Sequence, residues 1–257
     1  SVIKNAIKLF FQKKYRENFM QKNLIFNPNL DSPYVYFALG IILERHILIG
    51  APYFTNQIEL IRHIAKSIPI GYRLLVKEHP GQASREWRAI SEYQQIMNIP
   101  NVKLFHPNAP VKKFFEKCSL VISIAGSSAL EAAFYEKTSI IFADYNYAIL
   151  PSIFYVKSPF ELTNTIKIAL DTKVNSNDLD KFMEFLHANT FDFDRHEYSQ
   201  KELDTFFFGG QLIDVEISIS KMKLFLDENS KMFENMVSAY IEKINYFEKT
   251  IHSKNEI

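Results

Sequence analysis

Two short polar runs, Lys77-Glu78-His79-Pro80 and Gly126-Ser127-Ser128-Ala129-Leu130-Glu131, hold the residue types that can act on a phosphorylated ligand. Each follows an apolar stretch, and in an open α/β sheet ligands settle outside the carboxyl ends of the strands, so the two runs can converge on one small molecule. The His79 imidazole, with an ordinary pKa of about 6.5, can donate to a departing phosphate at neutral pH. Pro80 biases it toward extended backbone at the mouth of the sheet. A histidine packed in a turn and bonded to backbone is the competing reading.

Gly126 permits a tight turn, which leaves Ser127 and Ser128 at a helix start, where free N–H groups attract an anion. Glu131 lies one turn on, so its carboxylate shares a face with both hydroxyls and can take the two hydroxyls of a ribose. The same letters from Ser128 to Glu131 also spell a capping box that serves only the backbone. Lys77 and Arg85 flank the histidine and can neutralise phosphate charge, although surface cations more often only solvate a face. Asp144 can meet a sugar hydroxyl, cap a helix or face solvent.

Other chemistry is thinly signalled. Asp192-Phe193-Asp194 has the look of a metal-binding Asp-x-Asp, but it follows helices and has no spaced His or Cys partners, so a helix start is the simpler account. His187 and His196 lack a metal-ligand pattern, and no metal is expected. With only seven glycines there is no G-x-G-x-x-G, no P-loop and no G-x-S-x-G elbow.

The 257 residues are 47% hydrophobic and 23% charged, ordinary for a globular chain able to bury a core. A formal net charge of +1 gives no basic field to gather nucleic acid. The lone Cys118 cannot form an internal bridge and reads as a small buried residue in a reducing compartment. No apolar run is long enough to span a bilayer.

Short apolar runs alternate with helical periodicity, which predicts a Rossmann-like doubly wound parallel α/β sheet. Strands are expected at 34–39, 72–76, 102–105, 120–124 and 139–142, with helices at 55–67 (capped by Thr55), 84–97, 111–117 and 128–135. Asp31-Ser32-Pro33 opens the first strand. Beyond Pro151 the pattern turns mainly helical, at 159–170, 179–188 and 200–208, before Gly209-Gly210 break the chain. Three segments follow: an amino-terminal helix within 1–30, a nucleotide-sugar-binding domain at 31–172 and a helical carboxyl-terminal extension at 173–257. The last carries Phe233, Met236, Val237, Tyr240, Ile244, Phe247 and Ile251 at steps of three and four.

On these residues the chain resembles the capsule polysaccharide biosynthesis family and, more distantly, bacterial sialyltransferases of the GT-B type. The resemblance covers 34–144: Tyr34-Val35-Tyr36-Phe37, Asn56-Gln57, Val76-Lys77-Glu78-His79-Pro80, Ile99-Pro100-Asn101-Val102, and the run from Ile124 to Glu131. It implies a carboxyl-terminal donor-binding half, with the acceptor half preceding Ser1. By the same resemblance His79 and Pro80 match the His-Pro motif near the donor phosphate, and Ser127 and Ser128 match the phosphate-binding serine pair. The favoured donor it implies is a CMP-activated sugar acid such as Kdo or sialic acid, with other nucleotide sugars left open and no further cofactor. A glycan or lipid-linked acceptor and a cytoplasmic site, at the inner face of the membrane, complete that expectation. Where such relatives carry a His- or Gln-bearing segment ending in Pro-Glu, this chain reads Leu39-Gly40-Ile41-Ile42-Leu43-Glu44 and keeps only the acid.

Two rival readings stand beside it. A teichoic-acid type transferase of glycerol phosphate or ribitol phosphate also uses His-Pro and strand-end serines. A non-catalytic nucleotide-binding or assembly module would instead employ the apolar stripe from Phe233 to Ile251. The amino-terminal helix, with Lys4, Lys8, Lys13, Lys14 and Arg16 beside Ile7, Leu9, Phe10 and Phe11, suits a membrane surface or a core-packed helix with one solvated face.

Overall fold

Strands covered on both faces are apolar almost throughout, and this sheet is made of such strands. They are β1 (Tyr34–Ala38), β2 (Arg73–Lys77), β3 (Val102–Phe105), β4 (Leu120–Ser123), β5 (Ser139–Ile141) and β6 (Ile153–Tyr155). All pair in parallel in the order β3-β2-β1-β4-β5-β6. Side chains alternate across the sheet: Val35, Phe37, Leu74, Val76 and Ile122 enter one core cluster, and Tyr34, Tyr36, Leu75 and Val121 the other. The structure is a computed structural model describing residues 2–27, 32–42, 44–82, 88–211 and 214–254, with the side chains of all but 2–6, 9 and 250–254.

This is the doubly wound α/β unit that the periodicity predicts. The strand order reverses between β1 and β4, which opens a crevice at their carboxyl ends. One strand escaped the sequence reading: β6 lies beyond Pro151, where a mainly helical pattern was expected, and pairs with β5. It is three residues long at the sheet edge with two of them half-buried, too short to impose a period.

The helices are α1 (Val2–Asn23), α2 (Arg45–Leu48), α3 (Gln57–Ser67), α4 (Ile90–Met97), α5 (Val111–Lys117), α6 (Ser128–Ala133) and α7 (Leu162–Asp171). The α3 cap is Asn56 rather than Thr55, its Oδ1 accepting the Glu59 N–H at 3.2 Å; the Thr55 hydroxyl instead donates to the Pro52 carbonyl. Arg85, Asp31 and the first residues of the helix expected from Ser84 lie outside the described residues. Cys118 is buried as expected, and burial pushes its thiol pKa up to about 12.

The chain divides into two compact units, Ser1–Met183 and Glu184–Ile257. Helix α8 (Ser176–Asn189) precedes α9 (Arg195–Phe206), α10 (Ile219–Glu228) and α11 (Ser230–Lys254). The second unit gathers around Phe225, whose ring meets those of Phe206 at 4.9 Å, Tyr198 at 6.3 Å and Phe233 at 6.4 Å. In the first unit, Met20 and Leu24 at the end of α1 are buried, while Ile7, Phe10, Phe11 and Tyr15 are exposed. The segment after α1 extends the sheet: Ile25 N–H donates to the Leu104 carbonyl at 3.2 Å, and His106 N–H donates to the Ile25 carbonyl at 2.9 Å. No helix among the described residues is long and apolar enough to cross a membrane.

His106 secures this junction, stacked on Phe26 at 4.0 Å and accepting the Asn108 N–H on Nδ1 at 3.1 Å. Burial, and then the Lys77 charge, lower its pKa. With the folded value below the unfolded one of about 6.5, the unfolded chain takes the proton first, so this group's effect is absent at higher pH and destabilising as pH falls through 6.5. Urea midpoints should therefore drop between about pH 7 and pH 5, and drop less in His106→Gln. Parallel pH curves for the two proteins would discard this assignment.

Candidate functional site

Strand β2 delivers the first polar run to the carboxyl edge, and the run then splits between interior and surface. Glu78 turns inward with 1% of its surface exposed. Its Oε2 accepts from Arg88 Nε at 2.9 Å and from the Tyr93 hydroxyl at 2.9 Å, and its Oε1 accepts the His79 N–H at 2.7 Å. His79 is thus held by a buried carboxylate while its ring faces outward. Gly81 N–H donates to His79 Nδ1 at 3.0 Å, which leaves the proton of the neutral ring on Nε2. A Cβ on Gly81 would lie 3.2 Å from that Nδ1 and 3.1 Å from Ile41 Cδ1, so a larger residue there would push the ring aside by a few tenths of an ångström.

Lys77 departs from the expected role of neutralising phosphate. Only 5% exposed, its ammonium donates to the Pro107 carbonyl at 2.7 Å, and burial lowers its pKa. It lies in the cleft wall with its charge directed at backbone.

The second run follows β4. Ser123 Oγ accepts the Gly126 N–H at 3.0 Å, and a Cβ on Gly126 would sit 2.8 Å from that oxygen. Gly126 has no positive φ, so the residue supplies room rather than an unusual backbone angle. The Tyr147 hydroxyl fixes the loop from the other side, donating to the Gly126 carbonyl at 3.2 Å. Ser127 is the cap residue of α6, yet its hydroxyl makes no cap bond; it donates to Glu131 Oε1 at 2.7 Å across one helical turn. The capping box spelled by Ser128 and Glu131 is therefore replaced by this hydroxyl–carboxylate pair.

Lys77, His79, Pro80, Ser127, Ser128 and Glu131 all line one cleft of about 540 Å³, which Tyr36, Pro107 and Asn108 help to close. A smaller hollow of about 90 Å³ shares His79, Ser127 and Ser128 with it and adds Gly126, Glu44 and His46. Both open at the β1/β4 reversal. Asp144 is exposed and lines neither. Asp194 caps α9, its Oδ1 accepting from His196 and Glu197 N–H at 2.9 Å each, which lowers its pKa. That helix start accounts for the Asp-x-Asp resemblance.

Sequence reasoning missed Arg88, His46, Tyr145 and Tyr147. His46 Nδ1 is hydrogen-bonded to the Tyr145 hydroxyl, and the Tyr145 ring stacks on Tyr147 at 5.3 Å with planes 3° apart. Burial, then the Glu44 charge, raise the Tyr145 pKa. The retained acid Glu44 was the one available signal for this side of the hollow.

No family model matches the chain, and no curated protein matches it. Solved structures are similar to it at low identity. The UDP-GlcNAc 2-epimerase of Methanocaldococcus jannaschii aligns at 14% identity and TM-score 0.45, covering 67% of this chain and 49% of its own. The Anabaena protein HepE, in complex with UDP-glucose, aligns at 17% and 0.43, covering 59% and 44%. The spinosyn rhamnosyltransferase SpnG gives 16% and 0.42, covering 61% and 42%. The match therefore spans less than half the length of each of these proteins.

Proposed function

We propose that this chain is the donor-binding half of a glycosyltransferase in surface polysaccharide synthesis, and that its donor is a CMP-linked sugar. The observation that carries the reading is the convergence of His79, Ser127, Ser128 and Glu131 on one cleft at the carboxyl edge of the sheet. In this reading the phosphate lies against Ser128 and the α6 start, and the Nε2–H of His79 donates to its oxygens as the bond to the sugar breaks. Glu131, steadied by Ser127, takes the ribose hydroxyls. Charge favours one phosphate over two. Among the described residues Lys77 is the sole Lys or Arg lining either hollow, while Glu44 and Glu131 add negative charge beside Glu78, which Arg88 pairs. A phosphodiester with a single negative charge suits such a wall better than a diphosphate.

A melting screen with CMP, CDP, UDP and GDP tests the proposal. CMP at about 100 times its Kd should stabilise the chain by ~2.7 kcal/mol, which is roughly 5–10 °C. Ser128→Ala should weaken CMP about 10- to 100-fold, the range for a hydrogen bond to a charged group. No shift with any nucleotide, or a CMP shift indifferent to Ser128→Ala, would remove the reading.

A further inference from the structure

The second unit ends in a 25-residue helix, α11, with more apolar surface than its own unit covers. One line along it, Met232, Met236, Ala239 and Lys243, is partly buried. The adjoining line is not: Val237, Tyr240, Ile244 and Phe247 remain 51%, 61%, 54% and 53% exposed, and Ile241 beside them 53%. Val237 and Ile244, like Tyr240 and Phe247, lie seven residues apart, the a/d spacing of a coiled-coil seam. Val237 and Ile244 then fall at a positions, with Tyr240 and Phe247 at d.

The flanking charges select the partner and its direction. Lys243 falls at g and Glu248 at the following e, so two copies in parallel set each lysine against the other's glutamate, twice over. Met236 and Ile241 form the preceding g and e pair, an apolar contact in the same alignment. An antiparallel alignment centred on Ile241 would instead oppose Glu234 to Glu248, a like-charge pair. Lys243 already gives one N–H to the Asn189 side chain and has two more for a carboxylate.

We infer that this face of α11 docks a second copy of the same chain as a short parallel coiled coil. The inference is independent of what the cleft binds. Sedimentation velocity of the whole chain over a concentration series should reveal a reversible dimer, and Ile244→Asp should abolish it without changing the circular dichroism or the melting temperature. Oxidised Ile244→Cys should cross-link as a dimer, because a positions meet only in the parallel arrangement; buried Cys118 leaves the new thiol as the accessible one. A native chain that stays monomeric at its highest soluble concentration overturns the inference, as does a dimer that survives Ile244→Asp. Binding of phosphatidylglycerol vesicles, lost in Ile244→Asp and without self-association, would overturn it too and assign the face to lipid.

Discussion

If the chain acts as proposed, replacing His79 with alanine is expected to lower sugar transfer by about 10²- to 10³-fold, the cost of losing one preorganised donor to a developing oxyanion. The melting temperature should hardly move, because the ring is exposed and its removal opens no cavity. The Gly81 N–H aimed at Nδ1 leaves Nε2 as the proton-bearing nitrogen, so the imidazole can serve as a neutral donor. His79→Gln, which still presents an N–H at similar reach, should then keep part of the activity. Equal losses in His79→Ala and His79→Gln would point instead to proton transfer. Loss of stability alongside activity would reduce His79 to a packing residue.

Arg88→Ala should destabilise the first unit by about 3–5 kcal/mol, because it strands the Glu78 carboxylate in an interior that excludes water. For a domain of this size that is a fall of roughly 10 °C or more in melting temperature. Arg88→Met combined with Glu78→Leu should recover part of the loss, since apolar replacement of a buried ion pair is often neutral while the buried Tyr93 hydroxyl loses its acceptor. The double variant should nonetheless bind the nucleotide phosphate poorly, because the His79 N–H loses its acceptor. An Arg88→Ala protein that melts like the native one would show that Tyr93 and the His79 amide satisfy Glu78 on their own.

The sheet was legible in the sequence because burial on both faces leaves a run such as Leu120-Val121-Ile122 with no polar interruption. The convergence of His79 and Ser128 was legible for a topological reason: strand ends on either side of β1 share one crevice. What the letters could not disclose was which polar side chain turned inward. Glu78 and His79 are neighbours in one run, yet the carboxylate is buried and the imidazole exposed, and the cause lies ten and fifteen residues on, in Arg88 and Tyr93. Gly126 was assigned to a tight turn, whereas the space that a side chain there would need is taken by the Ser123 hydroxyl, a placement that only coordinates contain. Misplacing the α3 cap by one residue reflects two adjacent residues, Thr55 and Asn56, that both cap well.

The bridge from Ile25 to β3 has a bearing on solubility. A terminal strand with bare amides and carbonyls is a template for stray polypeptide. Ile25 occupies two of those groups, one as donor and one as acceptor, and α1 holds it there through Met20 and Leu24. The first helix thereby acts as a doorstop: while it is seated, the carboxyl end of this flank is closed to neighbouring chains, whatever the helix's outer surface touches.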